Sequence, residues 1–187
     1  MASEIIHKYI KKPTPALEPL IAQNPNTAYS YARKILRGRF PAGEPAIATD
    51  ARCSRLYALY VIRGVFPLGE AAIATDTWES NSYAIRVLKG RFVLGEPNIL
   101  ESGNYCLGDY IRNVIRGRWE AAEPYLVKDS GQCRQYVIHI LEFDMQYIDF
   151  YELCFKHNAF DLDFFKVYKK PVTDDLETAY FRAKVLK

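Results

Sequence analysis

An all-α fold, a helical-repeat solenoid of short helix-turn-helix units with atypical N- and C-terminal capping segments, is what this sequence predicts, and three observations predict it. A glycine column reads Gly38, Gly64, Gly90, Gly117 and a tyrosine column Tyr31, Tyr57, Tyr83, Tyr110, Tyr136, so the chain repeats every 26 or 27 residues. Inside each repeat, small and apolar residues recur at the i, i+3, i+4, i+7 spacing of a helix with one buried face, as at Ala28, Tyr31, Ala32, Ile35 and at Ser54, Tyr57, Ala58, Val61. Nothing in the repeats alternates with the period of two that a strand requires. A period in this range marks an array in which each supersecondary unit buries its apolar face against the next.

Met1 to Thr14 is basic and mixed, with His7, Lys8, Lys11 and Lys12, and the stretch Met1 to Lys12 lacks the apolar core of a signal peptide. The register begins at Glu18: Glu18-Pro19-Leu20-Ile21-Ala22-Gln23-Asn24 aligns with Glu44-Pro45-Ala46-Ile47-Ala48-Thr49-Asp50, so the array opens on a half unit. The column Asn24, Asp50, Asp76, Gly103, Asp129 holds N-cap residues at four of its five positions, and helices are expected to start there. Pro25 takes the helical position where a missing amide costs least, while Asp76 with Glu79 and Asp129 with Gln132 have the spacing of a capping box. Gly38, Gly64, Gly90 and Gly117 follow a last turn carrying Arg37, Arg63, Lys89 or Arg116. That pattern predicts a left-handed glycine C-cap with a cation against the helix dipole.

A connector with an aromatic follows (Phe40, Phe66, Phe92, Trp119), and then a segment such as Pro41 to Thr49, too short and proline-rich for more than about two turns. It reads as a short second helix whose Ile47, Ile73, Ile99 or Leu126 buries beneath the neighbouring long helices. The extra residue of the third unit falls between Glu96 and Gly103, where the cap is also lost, so that turn is expected to be the irregular one. Tyr136 keeps register, but the next expected glycine is Phe143, and the array ends near there. Ile138 to Phe165 is aromatic and apolar and reads as helices capping the open end, since terminal repeats are commonly atypical. Beyond Pro171, Thr173 to Lys187 predicts a final helix with an acidic start, Asp174 and Asp175, and a basic end, Lys184 and Lys187. The expected organisation is an N-terminal segment 1–17, a repeat array 18–136 and a helical cap 137–187 packed on the array.

With 187 residues, 49% of them hydrophobic and 25% charged, the chain has the make-up of one globular domain. Its formal net charge of +3 is too balanced to argue by itself for nucleic acid or an anionic membrane as partner. No apolar run approaches the roughly 18 residues a membrane span needs, so no membrane association and a cytoplasmic location are expected. The cysteines Cys53, Cys106, Cys133 and Cys154 form no CxxC pair and read as reduced, structural thiols. Cys53 and Cys106 share one column two units apart, roughly 20 Å at the spacing of packed helices and far outside disulfide reach.

Written out, the unit Tyr-Ala-x-x-[Ile/Val]-[Ile/Leu]-[Arg/Lys]-Gly-x-Phe-x-x-Gly-Glu-x-x-Ile-Ala-x-Asp resembles a short tandem repeat seen in uncharacterised proteins of large tailed bacteriophages and giant viruses. Tyr57-Ala58, Arg63-Gly64, Gly69-Glu70, Ile73-Ala74 and Asp76 carry the likeness, which covers about residues 18 to 136. The resemblance implies a short-helix solenoid and a viral origin, hence a host cytoplasm, and it brings no catalytic residue with it. The fourth unit departs from the pattern: Ala122 replaces the glycine before Glu123, and Glu120 stands where Pro41 and Pro67 stand.

Candidate binding residues come from two basic columns, Arg37, Arg63, Lys89, Arg116 before the glycine and Arg39, Arg91, Arg118 after it, the second broken by Val65. Stripes of this kind beside Phe40, Phe92 and Trp119 suit phosphate groups or an acidic protein surface. The plainer reading is that the first column complements helix C-termini and the second pairs, between units, with Glu18, Glu44, Glu70, Glu96 and Glu123. Those glutamates stand one per unit, about 10 Å apart, which is poor for a metal or a carboxylate pair. Tyr60, with Tyr29 and Tyr105, lies off the buried column and is expected to surface as a binding face. His7, His139 and His157 lack ligand spacing, no phosphate loop or nucleophile elbow occurs, and His139 near Cys133 and Cys154 reads as structural.

The expectation is therefore a non-catalytic binding or adaptor protein with no catalytic residue, no metal and no cofactor. It engages a protein partner, a host protein on the viral resemblance, through Arg37, Arg39, Arg63, Arg91, Arg116, Arg118 and Tyr60. The alternative is nucleic-acid or nucleotide binding through the arginine stripes; an enzyme housed in residues 137–187 is a weaker third reading.

Overall fold

A computed structural model of the chain describes residues 12–102 and 105–185, which are all-helical, without a strand. His7, Lys8, Lys11, Gly103 and Lys187 lie outside the described residues. The chain divides into two compact units, Met1–Ile99 and Leu100–Lys187.

The first body opens on the half unit, a 3-10 turn Pro15–Leu17 running into α1 (Glu18–Ile21). Three helices that continue into π segments follow, the long helices α2 (Pro25–Tyr31), α4 (Ala51–Tyr57) and α6 (Thr77–Tyr83), with α3 (Glu44–Ile47) and α5 (Pro67–Ala74) between them. Their starts are set where the caps predict. Asn24 Oδ1 accepts from the amides of Asn26 and Thr27, Asp50 from Cys53 at 2.7 Å, and Asp76 from Glu79 at 2.8 Å. The capping boxes stay half made. Glu79 turns its carboxylate to Arg55 instead of back to the cap, and the Asp76 amide bonds the Ile73 carbonyl. In the second body, Gln132 bonds the Asp129 side chain while the Asp129 amide takes the Leu126 carbonyl.

The helix ends differ from the prediction. Each long helix widens into a five-residue π segment, Ala32–Leu36, Ala58–Ile62 and Ala84–Leu88. The left-handed residue that closes it is the cation, Arg37 (φ 54°), Arg63 (58°) or Lys89 (53°), and not the glycine. In the first unit the amides of Arg37 and Gly38 both reach the Ala32 carbonyl, so one acceptor stops the helix over two donors. The left-handed conformation disfavours a residue with a Cβ by roughly 1–2 kcal/mol, and the wide turn recurs in every unit in spite of that. Gly38, Gly64 and Gly90 themselves lie outside the left-handed region with room for a Cβ at ordinary contact distance, and nothing in the structure explains a glycine there.

The other glycine column is sterically required. A Cβ on Gly69 would fall 2.6 Å from the Phe66 ring and 2.6 Å from Ser54, and Gly43 and Gly95 are equally crowded. That close approach lets the aromatic fold back under the preceding helix, where Tyr31, Tyr57 and Tyr83 meet Phe40, Phe66 and Phe92 edge to face at 5.2, 5.2 and 5.1 Å. Ile47, Ile73 and Ile99 are fully buried, as their column predicts. In the unit that carries the extra residue, α7 (Glu96–Ser102) has seven residues against the four of α3.

The second body repeats the plan twice with α8 (Tyr105–Tyr110), α9 (Glu123–Leu126) and α10 (Ser130–Tyr136). The π segments Ile111–Ile115 and Val137–Leu141 end on left-handed Arg116 and Glu142. Where the glycine fails, Phe143 also takes positive φ (61°), and the chain leaves the pattern. Three helices complete the body: α11 (Ile148–Lys156), α12 (Leu162–Val167) and α13 (Asp174–Val185). Phe155, Phe160, Phe164 and Phe165 make their aromatic core. Among the described residues no helix is long and apolar enough to cross a membrane.

Candidate functional site

Most polar groups that recur in the array hold it together. Arg39 grips Glu44 with two bonds (2.8 and 2.9 Å), Arg91 grips Glu96, and Arg118 grips Glu123. Each pair closes over five residues of one connector, and not between units as expected. Glu44 then accepts from Tyr57 Oη at 2.8 Å, while that oxygen accepts the Phe40 amide at 2.8 Å. The bond from Arg39 holds the Glu44 carboxyl below its ordinary range, against the opposing effect of burial. Burial pushes the Tyr57 phenol up to about 12, with its bond to Glu44 adding to the rise. Val65 breaks the series: Glu70 accepts from Tyr83 Oη at 2.9 Å and has no arginine five residues behind it.

Of the residues singled out from sequence, Arg39, Arg91 and Arg118 are thus engaged with glutamates. Arg37, Arg63 and Arg116 are exposed at the helix ends, where Arg116 Nε donates to the Asn113 carbonyl. Tyr60 is exposed, and the Arg33 guanidinium lies 4.3 Å from its ring centroid. Tyr29, expected at the surface, is buried, and its hydroxyl accepts from the same Arg33 at 2.7 Å. Phe40, Phe92 and Trp119 are buried beneath the array helices and offer no stacking platform beside the arginines.

One place between neighbouring long helices is built differently in the two bodies. Two positions before the column tyrosine stand Tyr29, Arg55, Asn81, Gly108 and Arg134; four before it stand Thr27, Cys53, Glu79, Cys106 and Gln132. Between α4 and α6 these positions supply Arg55 and Glu79, an ion pair with both residues 8% exposed. Between α8 and α10 they supply Gly108 and Gln132. A Cβ on Gly108 would stand 3.7 Å from Gln132 Oε1, an ordinary contact, and both residues line a gap between the two helices.

That gap is a cleft of about 380 Å³. Its floor is apolar, with Ile111, Leu126, Tyr136 and Ile140, and its rim carries Tyr105, Arg112, Asp129 and Gln135. Asp129 caps α10, and the Gln132 amide bonded to it holds its carboxyl below the ordinary range, so the rim carries this anion as well as the Arg112 cation. Such a site takes an apolar body with a polar end, the usual make-up of a binding pocket. The sequence reading passed over Gly108, although it is the one residue of its column without a side chain. Among the described residues no group of three or more His, Cys, Asp or Glu side chains is placed to hold a metal ion. Comparison with protein-family models, with curated proteins and with solved structures finds no match to this chain.

Proposed function

We propose that this protein is a non-catalytic binding protein, a small α-solenoid within each body, whose second body receives a side chain of a protein partner in the cleft between α8 and α10. The observation that carries this reading is the exchange of the Arg55–Glu79 pair for Gly108 and Gln132, which opens an apolar cleft while the surrounding repeat keeps its form. On the viral resemblance the partner is a host protein. Affinity capture with the intact chain and with Gly108→Arg tests it. The variant carries in the slot the side chain that α4 carries naturally, so it is expected to fold and to lose the partner that the unaltered chain retains. Equal retention by both chains removes the cleft from the reading, and turnover of a substrate by the purified protein removes binding as the sole activity.

A second reading, nucleic-acid or nucleotide binding, draws on the exposed column Arg37, Arg63, Lys89. It requires affinity that falls steeply with salt, and salt-insensitive or absent binding eliminates it.

A further inference from the structure

Cys133 and Cys154 are both fully buried, and their sulfurs lie 3.0 Å apart. The pair joins α10, the last repeat helix, to α11, the first helix beyond the array. A second contact fixes the same register: three residues on from Cys133, Tyr136 meets Phe150, four residues back from Cys154, edge to face at 5.3 Å. The two helices therefore run side by side in opposite senses, with the two cysteines on facing surfaces. A disulfide needs its sulfurs about 2 Å apart, so an approach of about 1 Å closes the gap. Cys53 differs, since its thiol donates to Asn26 Oδ1 at 3.4 Å.

We propose that Cys133 and Cys154 are a disulfide-forming pair that covalently ties the last repeat to the C-terminal helices. The oxidant is a low-molecular-weight disulfide such as oxidised glutathione. The Cys133 thiolate attacks it, releasing one small thiol and leaving a mixed disulfide on Cys133. The Cys154 sulfur, having lost its proton, then attacks the Cys133 sulfur and expels the second small thiol. Two protein thiols become one S–S bond while one small disulfide becomes two small thiols, and nothing else is consumed. Burial raises the Cys154 thiol far above its ordinary range, so thiolate is scarce in the folded chain. The bond therefore forms as the chain folds, or through transient opening, and is shielded from reductant afterwards. This modification is independent of what the cleft binds.

The test refolds the full chain from reduced denaturant into a buffer of oxidised and reduced glutathione, followed by alkylation, intact mass measurement and peptide mapping. Expected is the loss of two of the four alkylable thiols, with one linked peptide joining Cys133 to Cys154 and alkylated Cys53 and Cys106. The linked form should be reduced more slowly in native buffer than in denaturant. Four alkylated thiols, or links distributed over Cys53 and Cys106, overturn the proposal. Cys154→Ser should abolish the link and leave Cys133 open to glutathionylation; should that variant fail to fold, the peptide map of the unaltered chain decides alone.

Discussion

Between α4 and α6 a buried arginine and glutamate fill the slot between repeat helices, whereas between α8 and α10 a glycine and a glutamine leave it open. The surrounding structure is the same in kind in both places. Tyr57 meets Phe66 at 5.2 Å and Tyr110 meets Trp119 at 5.4 Å, and α4 and α8 each end in a π segment closed by a left-handed arginine. The difference shows that this slot is decoupled from the residues that build the repeat. The residues of the slot can therefore differ between the bodies while the repeat keeps its form, unlike those of the tyrosine, aromatic and glutamate columns.

The largest expected effect comes from breaking the filled slot. Arg55→Met strands the Glu79 carboxylate in a buried site and is expected to cost about 3–5 kcal/mol, because an uncompensated buried charge loses far more than a surface pair would. Urea unfolding measures it. Arg55→Met combined with Glu79→Met should recover most of the loss, since an apolar pair of similar volume replaces an ion pair at little net cost. An unchanged midpoint in the single variant breaks the comparison, for the slot would then need no filling in either body.

A second expectation concerns what the bodies share. Tyr57→Phe leaves the Phe40 amide without its acceptor, and Tyr136→Phe does the same to the Trp119 amide, 2.7 Å from the Tyr136 hydroxyl. Each is expected to cost about 1–3 kcal/mol, the penalty of an orphaned buried donor. The pH dependence has a definite sign. The folded Tyr57 phenol is raised to about 12, above the roughly 10 of an unfolded tyrosine. Its stabilisation is therefore complete below about pH 10 and is lost as pH climbs toward 12. Urea midpoints across that range should fall for the unaltered chain and fall less for Tyr57→Phe. Markedly unequal costs at Tyr57 and Tyr136 would mean that the two bodies differ in scaffold as well as in slot.

The parts legible in the sequence were those governed by local chemistry or by strict recurrence. Asn24, Asp50, Asp76 and Asp129 cap helices because a short side-chain oxygen three residues ahead of a free amide needs no tertiary partner. The isoleucine column is buried because every unit repeats the same contact. Glycine propensity pointed one residue too far along, to Gly38 instead of Arg37, because widening a helix by a π turn changes which residue must reverse the chain, and five residues are too few to reveal that period. Glu79 had capping-box spacing, yet a guanidinium on the neighbouring helix offered a charge-assisted bond that the cap amide could not match. The cleft depended on a residue without a side chain, so a search for chemical groups passed over it.

The smallest expected effect lies in the arginine row, where Val65 is to Arg39 and Arg91 what Gly108 is to Arg55. Val65 is 52% exposed, and five residues on Glu70 keeps its tyrosine bond but lacks a guanidinium. Val65→Arg should reproduce the two-bonded grip seen between Arg39 and Glu44. Since the Arg39 side chain is 60% exposed, solvent screens most of the attraction, and a Tm rise of only ~1–3 °C is expected, shrinking as salt is added. The contrast with Arg55 is the point of the measurement, because the same residue type is worth several times more where no water competes for it. A Tm that does not move would show that the recurring Arg–Glu pairs contribute nothing net to folding, and Arg39, Arg91 and Arg118 would then have to recur for the sake of what they bind.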